Sequence, residues 1–114
     1  MLFVFVLVAM AQEVPPPEER ARKLTERLTT ILNLTADQVP KVEEINLAAA
    51  RRHEAQRNEG GRALQKRRRA KAVEKERDRE LRRVLTAAQW RTYESKKEEL
   101  IEELKRLAEQ RKQE

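Results

Sequence analysis

The sequence contains no cysteine. That absence excludes disulfide bonds, thiolate metal sites and a cysteine nucleophile, as well as the lipidated cysteine of a bacterial lipoprotein. Histidine is nearly absent too, because His53 is the only one. A lone imidazole on a charged helix, without a thiolate beside it, argues against a transition-metal site. We therefore expect no bound metal.

Glycine and aromatic residues are also scarce. The chain has 2 glycines and 4% aromatic residues, whereas 40% of its residues are charged. Gly60-Gly61 is the only glycine feature, so there is no glycine-rich phosphate loop, and no nucleophile–base pair stands out. We therefore expect neither an enzyme nor a cofactor. A chain rich in Ala, Glu, Lys, Arg, Leu and Gln favours long helices over a sheet.

The first eleven residues form an uninterrupted apolar run. Residues 1–11 end in Ala9-Met10-Ala11, which is typical of a signal-peptide cleavage site, and they are too few to span a bilayer as a helix. A buried N-terminal strand is the alternative, but no other segment could pair with it. We predict a signal peptide cleaved near Ala11, export to the periplasm, and a proline-rich lead-in over residues 12–17.

The remaining chain, residues 18–112, is predicted to be one helical domain with an all-α fold. Apolar residues at helical spacing and helix-breaking signals predict four helices, over 18–32, 36–58, 62–84 and 87–111. The second and third helices form a long helical hairpin around Gly60-Gly61, flanked by the other two. Their apolar stripes are strongest far from this glycine pair, so the core is thin, and thin cores favour oligomerisation.

Two segments share the pattern L-T-x-x-Q: residues 34–38 and 85–89. The threonine suits an N-cap, and the glutamine three residues later can accept from the backbone N–H of that threonine, which makes a capping box. The leucine before each cap can pack on an apolar residue of the first turn as a hydrophobic staple, onto Val39 in the first copy and Trp90 in the second. The helix-cap residues are Leu34, Thr35, Gln38, Leu85, Thr86 and Gln89.

Pro40 interrupts the start of the second helix. At the fifth helical position it removes one backbone hydrogen bond and crowds the carbonyl of Ala36. We expect a bend or a loosened first turn, or else a later helix start.

Two such motifs in an exported four-helix chain resemble the Spy/CpxP-type periplasmic family. The stretches L-N-L-T-A-D-Q-V-P-K-V-E-E-I-N and L-R-R-V-L-T-A-A-Q-W-R-T-Y-E extend the resemblance, which covers roughly residues 24–105. It implies an elongated, antiparallel homodimer and an ATP-independent chaperone that binds unfolded or partly folded clients on a basic concave face. Other members of the family sense metals or regulate envelope stress. The interval between the motifs is short here for this family.

Positive charge is concentrated between the two motifs. Residues 51–83 hold 14 Lys or Arg against 6 Asp or Glu, a net of +8 in a chain whose total is +6. A solvated helix surface with charges paired along each helix would be the simplest explanation. An acidic or unfolded client, a nucleic acid, or an anionic envelope surface could each use the excess. The candidate client-binding residues are Arg51, Arg52, Arg67, Arg68, Arg69 and Lys71.

Nucleic acid is the least suitable of these partners, because no aromatic residues are interleaved for base stacking. Peripheral contact with an anionic envelope surface stays open. The sequence therefore predicts an ATP-independent periplasmic chaperone-like protein that binds unfolded or acidic clients. The alternative is an envelope-stress regulatory or structural protein that docks on an acidic partner and has no client activity.

Overall fold

A computed structural model describes residues 15–113, without the side chains of residues 104, 107, 108 and 111–113. The fold is all-α and has no strand within residues 15–113. Four helices follow one another: α1 (Pro17–Leu32), α2 (Gln38–Arg57), α3 (Ala63–Val84) and α4 (Ala87–Gln113). The predicted signal peptide, residues 1–11, and residues 12–14 of the predicted lead-in fall outside what is described. No helix of residues 15–113 is long and apolar enough to span a membrane.

Helix α1 begins at Pro17, one residue before the predicted start, and ends at Leu32 as predicted. Pro17 occupies the first helical position, where a missing N–H costs nothing, and acidic residues follow it in the first turn. Asn33 ends the helix in the left-handed conformation at φ 52°. The backbone N–H groups of Asn33 and Leu34 both donate to the carbonyl of Thr29, which satisfies an otherwise free carbonyl of the last turn.

Helix α2 begins at Gln38 rather than at residue 36, so the later of the two predicted starts is the one observed. The amides of Gln38 and Val39 both donate to the carbonyl of Thr35, at 3.0 and 3.1 Å. Pro40 has no N–H to give to the next carbonyl, that of Ala36, and regular helical bonding is therefore delayed.

Helix α2 packs against both α1 and α3. Side chains near its two ends contact opposite ends of α3: the Gln38 amide reaches the carbonyl of Val84, and the Gln56 amide reaches that of Arg69. Helices α2 and α3 are therefore antiparallel. Gly61 lies in the connecting loop at φ 133°, a conformation that favours glycine. Helix α4 returns along the bundle, and its Glu103 pairs with Arg27 of α1 at 2.7 Å.

The apolar core lies at the ends of α2 and α3 remote from Gly60-Gly61. One buried cluster joins all four helices and both motif leucines. Its members are Leu24, Leu28, Leu32, Leu34, Val42, Leu81, Leu85, Tyr93 and Leu100. The principal extents of 52, 31 and 21 Å agree with an elongated shape built around a thin core.

Candidate functional site

Both L-T-x-x-Q segments form reciprocal caps. In the first copy, the Thr35 amide donates to Gln38 Oε1 at 3.0 Å, and the Gln38 amide donates to Thr35 Oγ1 at 3.2 Å. In the second copy, the Thr86 amide donates to Gln89 Oε1 at 2.9 Å, and the Gln89 amide donates to Thr86 Oγ1 at 3.1 Å. Each segment therefore satisfies two backbone donors that the start of a helix leaves free.

The two segments also bind each other through their glutamines. Gln38 Nε2 donates to Gln89 Oε1 at 2.8 Å, and Gln89 Nε2 donates to Gln38 Oε1 at 3.0 Å. The second proton of each amide goes to the last carbonyl of a helix: Gln38 reaches Val84 at the end of α3, and Gln89 reaches Leu32 at the end of α1. We call Gln38 and Gln89 the glutamine pair.

The glutamine pair uses every hydrogen-bonding position that two side-chain amides have. Each Oε1 accepts from its own threonine amide and from the partner glutamine, and each Nε2 donates to the partner and to a helix end. The pair joins the starts of α2 and α4 to the ends of α1 and α3. Sequence reasoning treated the motifs as two separate caps and missed this contact.

The presence of glutamine, rather than glutamate, in both motifs is a sequence signal for this contact. Glutamate serves the capping box as well as glutamine does, because the box requires only a side-chain acceptor. Both copies nevertheless carry glutamine, which adds an NH₂ group that an isolated cap does not need. That surplus donor is the one that bridges the two motifs.

The leucines of the motifs are core residues. Leu34 and Leu85 are each 8% exposed and belong to the buried cluster, and Val39 and Trp90 pack against that same cluster. Trp90 also lies 5.5 Å from the ring of Tyr93, centroid to centroid, and under the guanidinium of Arg82. The aromatic residues of α4 therefore serve packing.

The caps give a first stability prediction. Thr35→Ala combined with Thr86→Ala should lower the helical circular dichroism signal and cost about 1 kcal/mol per cap. Thr30→Ala is the matched control, because the Thr30 hydroxyl is exposed and bonds only a carbonyl within its own helix. An unchanged melting curve in the double variant would show that the threonines do not stabilise the helices.

The structure separates the six candidate client-binding residues by their contacts. Arg51 faces Glu18 at 3.6 Å, with both side chains more than 60% exposed, so this pair contributes little. Arg52 is exposed on α2. Arg69 binds the loop between α2 and α3, because its guanidinium donates to Glu59 at 3.1 Å and to the carbonyl of Gly60 at 2.8 Å. Its place in the fold favours a structural role over client contact.

Arg67, Arg68 and Lys71 are the exposed members of the six candidates on α3, and we call these three the cationic cluster. They lie on α3 at i, i+1 and i+4, so they share one side of the helix. Among the described residues, none of them has an ion pair or a side-chain hydrogen bond. Leu64, one turn earlier, is 57% exposed.

Ion pairs between neighbouring turns explain the charged residues of only the later half of α3. There Arg79 pairs with Glu76 at 2.8 Å and Arg83 pairs with Glu80 at 3.1 Å, as expected of a solvated helix face. In the cationic cluster only Lys71 has an acid at such a spacing, Glu74, and Glu74 pairs with His53 and Arg77 instead. The charge excess is therefore concentrated at one end of the helix.

A family described as a domain of unknown function, DUF4890, matches residues 9–93, about three quarters of the chain. The chain belongs to the DUF4890 family. The match includes both L-T-x-x-Q motifs, the cationic cluster and Tyr93. No curated protein and no solved structure matches the chain.

A polar network joins α2, α3 and α4 within the DUF4890 domain. His53 Nε2 lies 3.1 Å from Glu74 Oε1, and Glu74 also pairs with Arg77. Burial alone would raise the pKa of Glu74, but the hydrogen bond and charge of His53 and the charge of Arg77 outweigh it, and the pKa is lowered. Glu74 is therefore ionised near neutral pH. No group of three His, Asp or Glu side chains in the described chain is placed to hold a metal ion.

Tyr93 extends the polar contacts to α4. Burial raises the pKa of Tyr93 above its ordinary value, so the phenol keeps its proton and donates it to Asp78 at 2.7 Å. Lys97 donates to the other oxygen of the Asp78 carboxylate at 2.9 Å. The aspartate thus holds α4 against α3.

The lowered pKa of Glu74 makes stability depend on pH. A depressed folded-state pKa gives stability that is present above the unfolded-state value, near 4.5, and is lost as the pH falls through the folded-state pKa. Glu74→Gln should therefore be less stable than the wild type at pH 7, with the difference shrinking below about pH 4.5. Urea midpoints between pH 7 and pH 3 measure this, with the exposed Glu94→Gln as control. A constant difference across that range would contradict the assignment.

Proposed function

We propose that this protein is an ATP-independent, periplasmic, chaperone-like protein that binds unfolded or partly folded clients. The observation that carries the proposal is the cationic cluster, three exposed cations on one side of α3 without acidic partners among the described residues. Like charges held this close repel each other, so an acidic segment bound to them lowers the free energy of the surface.

The side chains of the cationic cluster suit a client that is not fully folded. Arginine and lysine have long apolar stems beneath charged head groups, so one surface can cover apolar segments and also bind carboxylates. Each exposed contact is weak, typically below about 1 kcal/mol. Many weak contacts allow a client to leave without a nucleotide-driven step.

The core is placed so that client binding need not disturb it. The buried cluster and the glutamine pair lie at the ends of α2 and α3 remote from Gly60-Gly61, whereas the cationic cluster begins about one turn after that loop. Charges in the cluster can therefore be replaced without removing core contacts, which makes the proposal testable by substitution.

We also propose that α2 and α3 form the long hairpin of an elongated antiparallel homodimer. The antiparallel contacts of these helices, the thin core and the two L-T-x-x-Q motifs support this arrangement. Periplasmic localisation rests on the predicted removal of residues 1–11. Sedimentation equilibrium of residues 12–114 should give twice the chain mass. A monomer at concentrations that suppress aggregation would contradict the dimer.

Aggregation of an unfolded acidic client tests the proposed function. The chain without residues 1–11 should suppress light scattering without nucleotide at equimolar dimer, and high salt should weaken the suppression because exposed charges are screened. Absence of suppression, together with salt-sensitive binding to a folded acidic domain, would favour the regulatory alternative. Suppression that salt does not change would remove the role of the cationic cluster.

A further inference from the structure

A cavity of about 500 Å³ opens between the four helices, beside the core. Its volume lies within the range of pockets that hold small molecules. The inner wall is apolar and comes from α1, α2 and α4: Ala21, Leu24, Ala50 and Leu100. The cavity is separate from the cationic cluster, none of whose residues lines it.

The cavity wall contains a buried acceptor without a donor. Asn46 is 2% exposed, and its Nδ2 donates to Thr25 Oγ1 at 3.0 Å. Thr25 gives its only hydroxyl proton to the carbonyl of Ala21 at 2.8 Å, so the Asn46 atom that faces it must be the donor. Asn46 Oδ1 is thereby left without a partner. Buried polar groups normally have one.

The same wall contains a buried donor without an acceptor. The Arg77 side chain is 10% exposed; one terminal nitrogen pairs with Glu74, but Nε donates to nothing among the described residues. An unpaired N–H of a guanidinium is matched by a carboxylate oxygen. Both atoms are closed to solvent, so an occupant of the cavity reaches them only if the Asn46 and Arg77 side chains turn toward it.

The charges that line the cavity are mostly positive. Five cations line it, against the single acid Glu74. Four of the five pair with acids outside the cavity wall: Arg20 with Glu54, Lys23 with Glu19, Lys97 with Asp78, and Lys105 with Glu102. The Lys105 pair, at 4.0 Å and more than 60% exposed, is the weakest of the four. The cavity therefore combines an apolar interior with a cationic rim.

These features favour one class of occupant. A buried peptide would need hydrogen-bond partners for each backbone group, and the two unpartnered atoms of the described wall are closed to solvent. A second copy of the chain bound through the same face would bring two cationic rims together, and like charges repel. Residues 1–11 have no charged side chain to neutralise the rim. A fatty acid needs no partners along its chain and has one carboxylate.

We infer that the cavity binds a fatty carboxylate. The acyl chain lies on the apolar wall, and the carboxylate pairs with the lysines of the cationic rim. This inference does not rest on client binding, so either can be wrong without the other.

Quenching of Trp90 tests the inference. Trp90 is the only tryptophan and packs on Tyr93, which lines the cavity. Dodecanoate with a terminal bromine should quench its fluorescence with saturation at one ligand per chain, below the concentration at which the ligand forms micelles. The affinities of octanoate, decanoate and dodecanoate, measured by competition, should rise about fourfold for each added methylene. Quenching that never saturates would overturn the inference.

Matched variants separate the cavity from general surface binding. Lys97→Gln should weaken binding about fivefold, whereas Lys96→Gln, the exposed neighbour that does not line the cavity, should change nothing. Ala50→Leu should fill part of the cavity and weaken binding at least tenfold. If Ala50→Leu does not fold, the comparison of Lys97→Gln with Lys96→Gln still tests whether binding depends on the cavity.

Three further outcomes would overturn the proposal. Equal losses in Lys96→Gln and Lys97→Gln would assign the binding to general surface charge. Equal affinity for dodecanol and dodecanoate would remove the role of the carboxylate. Absence of quenching, with Lys97→Gln shifting a monomer–dimer equilibrium, would show that a second copy covers the cavity.

Discussion

Replacing Gln89 with glutamate should lower the free energy of unfolding by about 2–4 kcal/mol, although glutamate is an equally good capping-box residue. The cap itself survives, because a carboxylate oxygen still accepts from the Thr86 amide. The two donor bonds of Gln89 Nε2, to Gln38 and to the carbonyl of Leu32, are lost. A carboxylate oxygen then faces two other acceptors in a half-buried site. Urea unfolding measures the change.

A control of the same chemistry lies at the start of α3. Gln65 is also the third residue of its helix and accepts from the amide of Arg62 at 3.2 Å, but it is exposed and makes no contact with a second motif. Gln65→Glu should therefore change stability by no more than about 0.5 kcal/mol. Equal effects of the two substitutions would show that the motifs act only as separate caps.

Acidification should partly restore the stability of the Gln89→Glu variant. The folded-state pKa of the new carboxyl is raised by the acceptors that face it, so its stabilising protonated form is present at low pH and is lost as the pH rises through that pKa. The difference from the wild type should be smaller at pH 4 than at pH 7. A difference that grows on acidification would contradict the pairing geometry.

Leu81→Ala should cost about 2–5 kcal/mol, the range for removing a fully buried leucine side chain. Leu81 is 0% exposed and lies in the cluster that joins all four helices. A small domain has only a few kcal/mol of net stability, so this one substitution should unfold a large fraction of the chains near body temperature. Thermal and urea melts followed by circular dichroism measure the loss.

Leu64→Ala provides the comparison within the same helix. Leu64 is 57% exposed, so the same chemical change should cost less than about 0.5 kcal/mol. Similar losses at the two positions would mean that the core does not lie where the structure places it.

The helices could be predicted because their ends are determined locally. Pro17 starts α1, Asn33 ends it in a left-handed conformation, and Gly61 permits the loop before α3. Each depends on the backbone preference of one residue, which is visible in the sequence. Pro40 is visible in the sequence as an irregularity, and α2 begins at Gln38 rather than at residue 36.

Contacts between segments distant in the chain could not be predicted in this way. The glutamine pair joins residues 51 positions apart, and the Asn46–Thr25 bond joins two buried polar groups on different helices. Arg69 was indistinguishable by sequence from Arg68, yet it lies on the side of α3 that meets the loop and binds Gly60. Helical spacing gives the side of a helix, but not the neighbour that covers it.

The two motifs are structural, and we propose that the cationic cluster attracts clients. The most direct test measures the concentration of this protein that halves the aggregation of an unfolded acidic client. It compares Arg67→Gln/Arg68→Gln/Lys71→Gln with Lys41→Gln/Lys96→Gln/Arg106→Gln, an equal change of charge at exposed positions elsewhere. The first variant should require several-fold more protein, whereas the second should match the wild type at equal thermal stability. Equal activity of the two variants would contradict the proposed role of the cationic cluster.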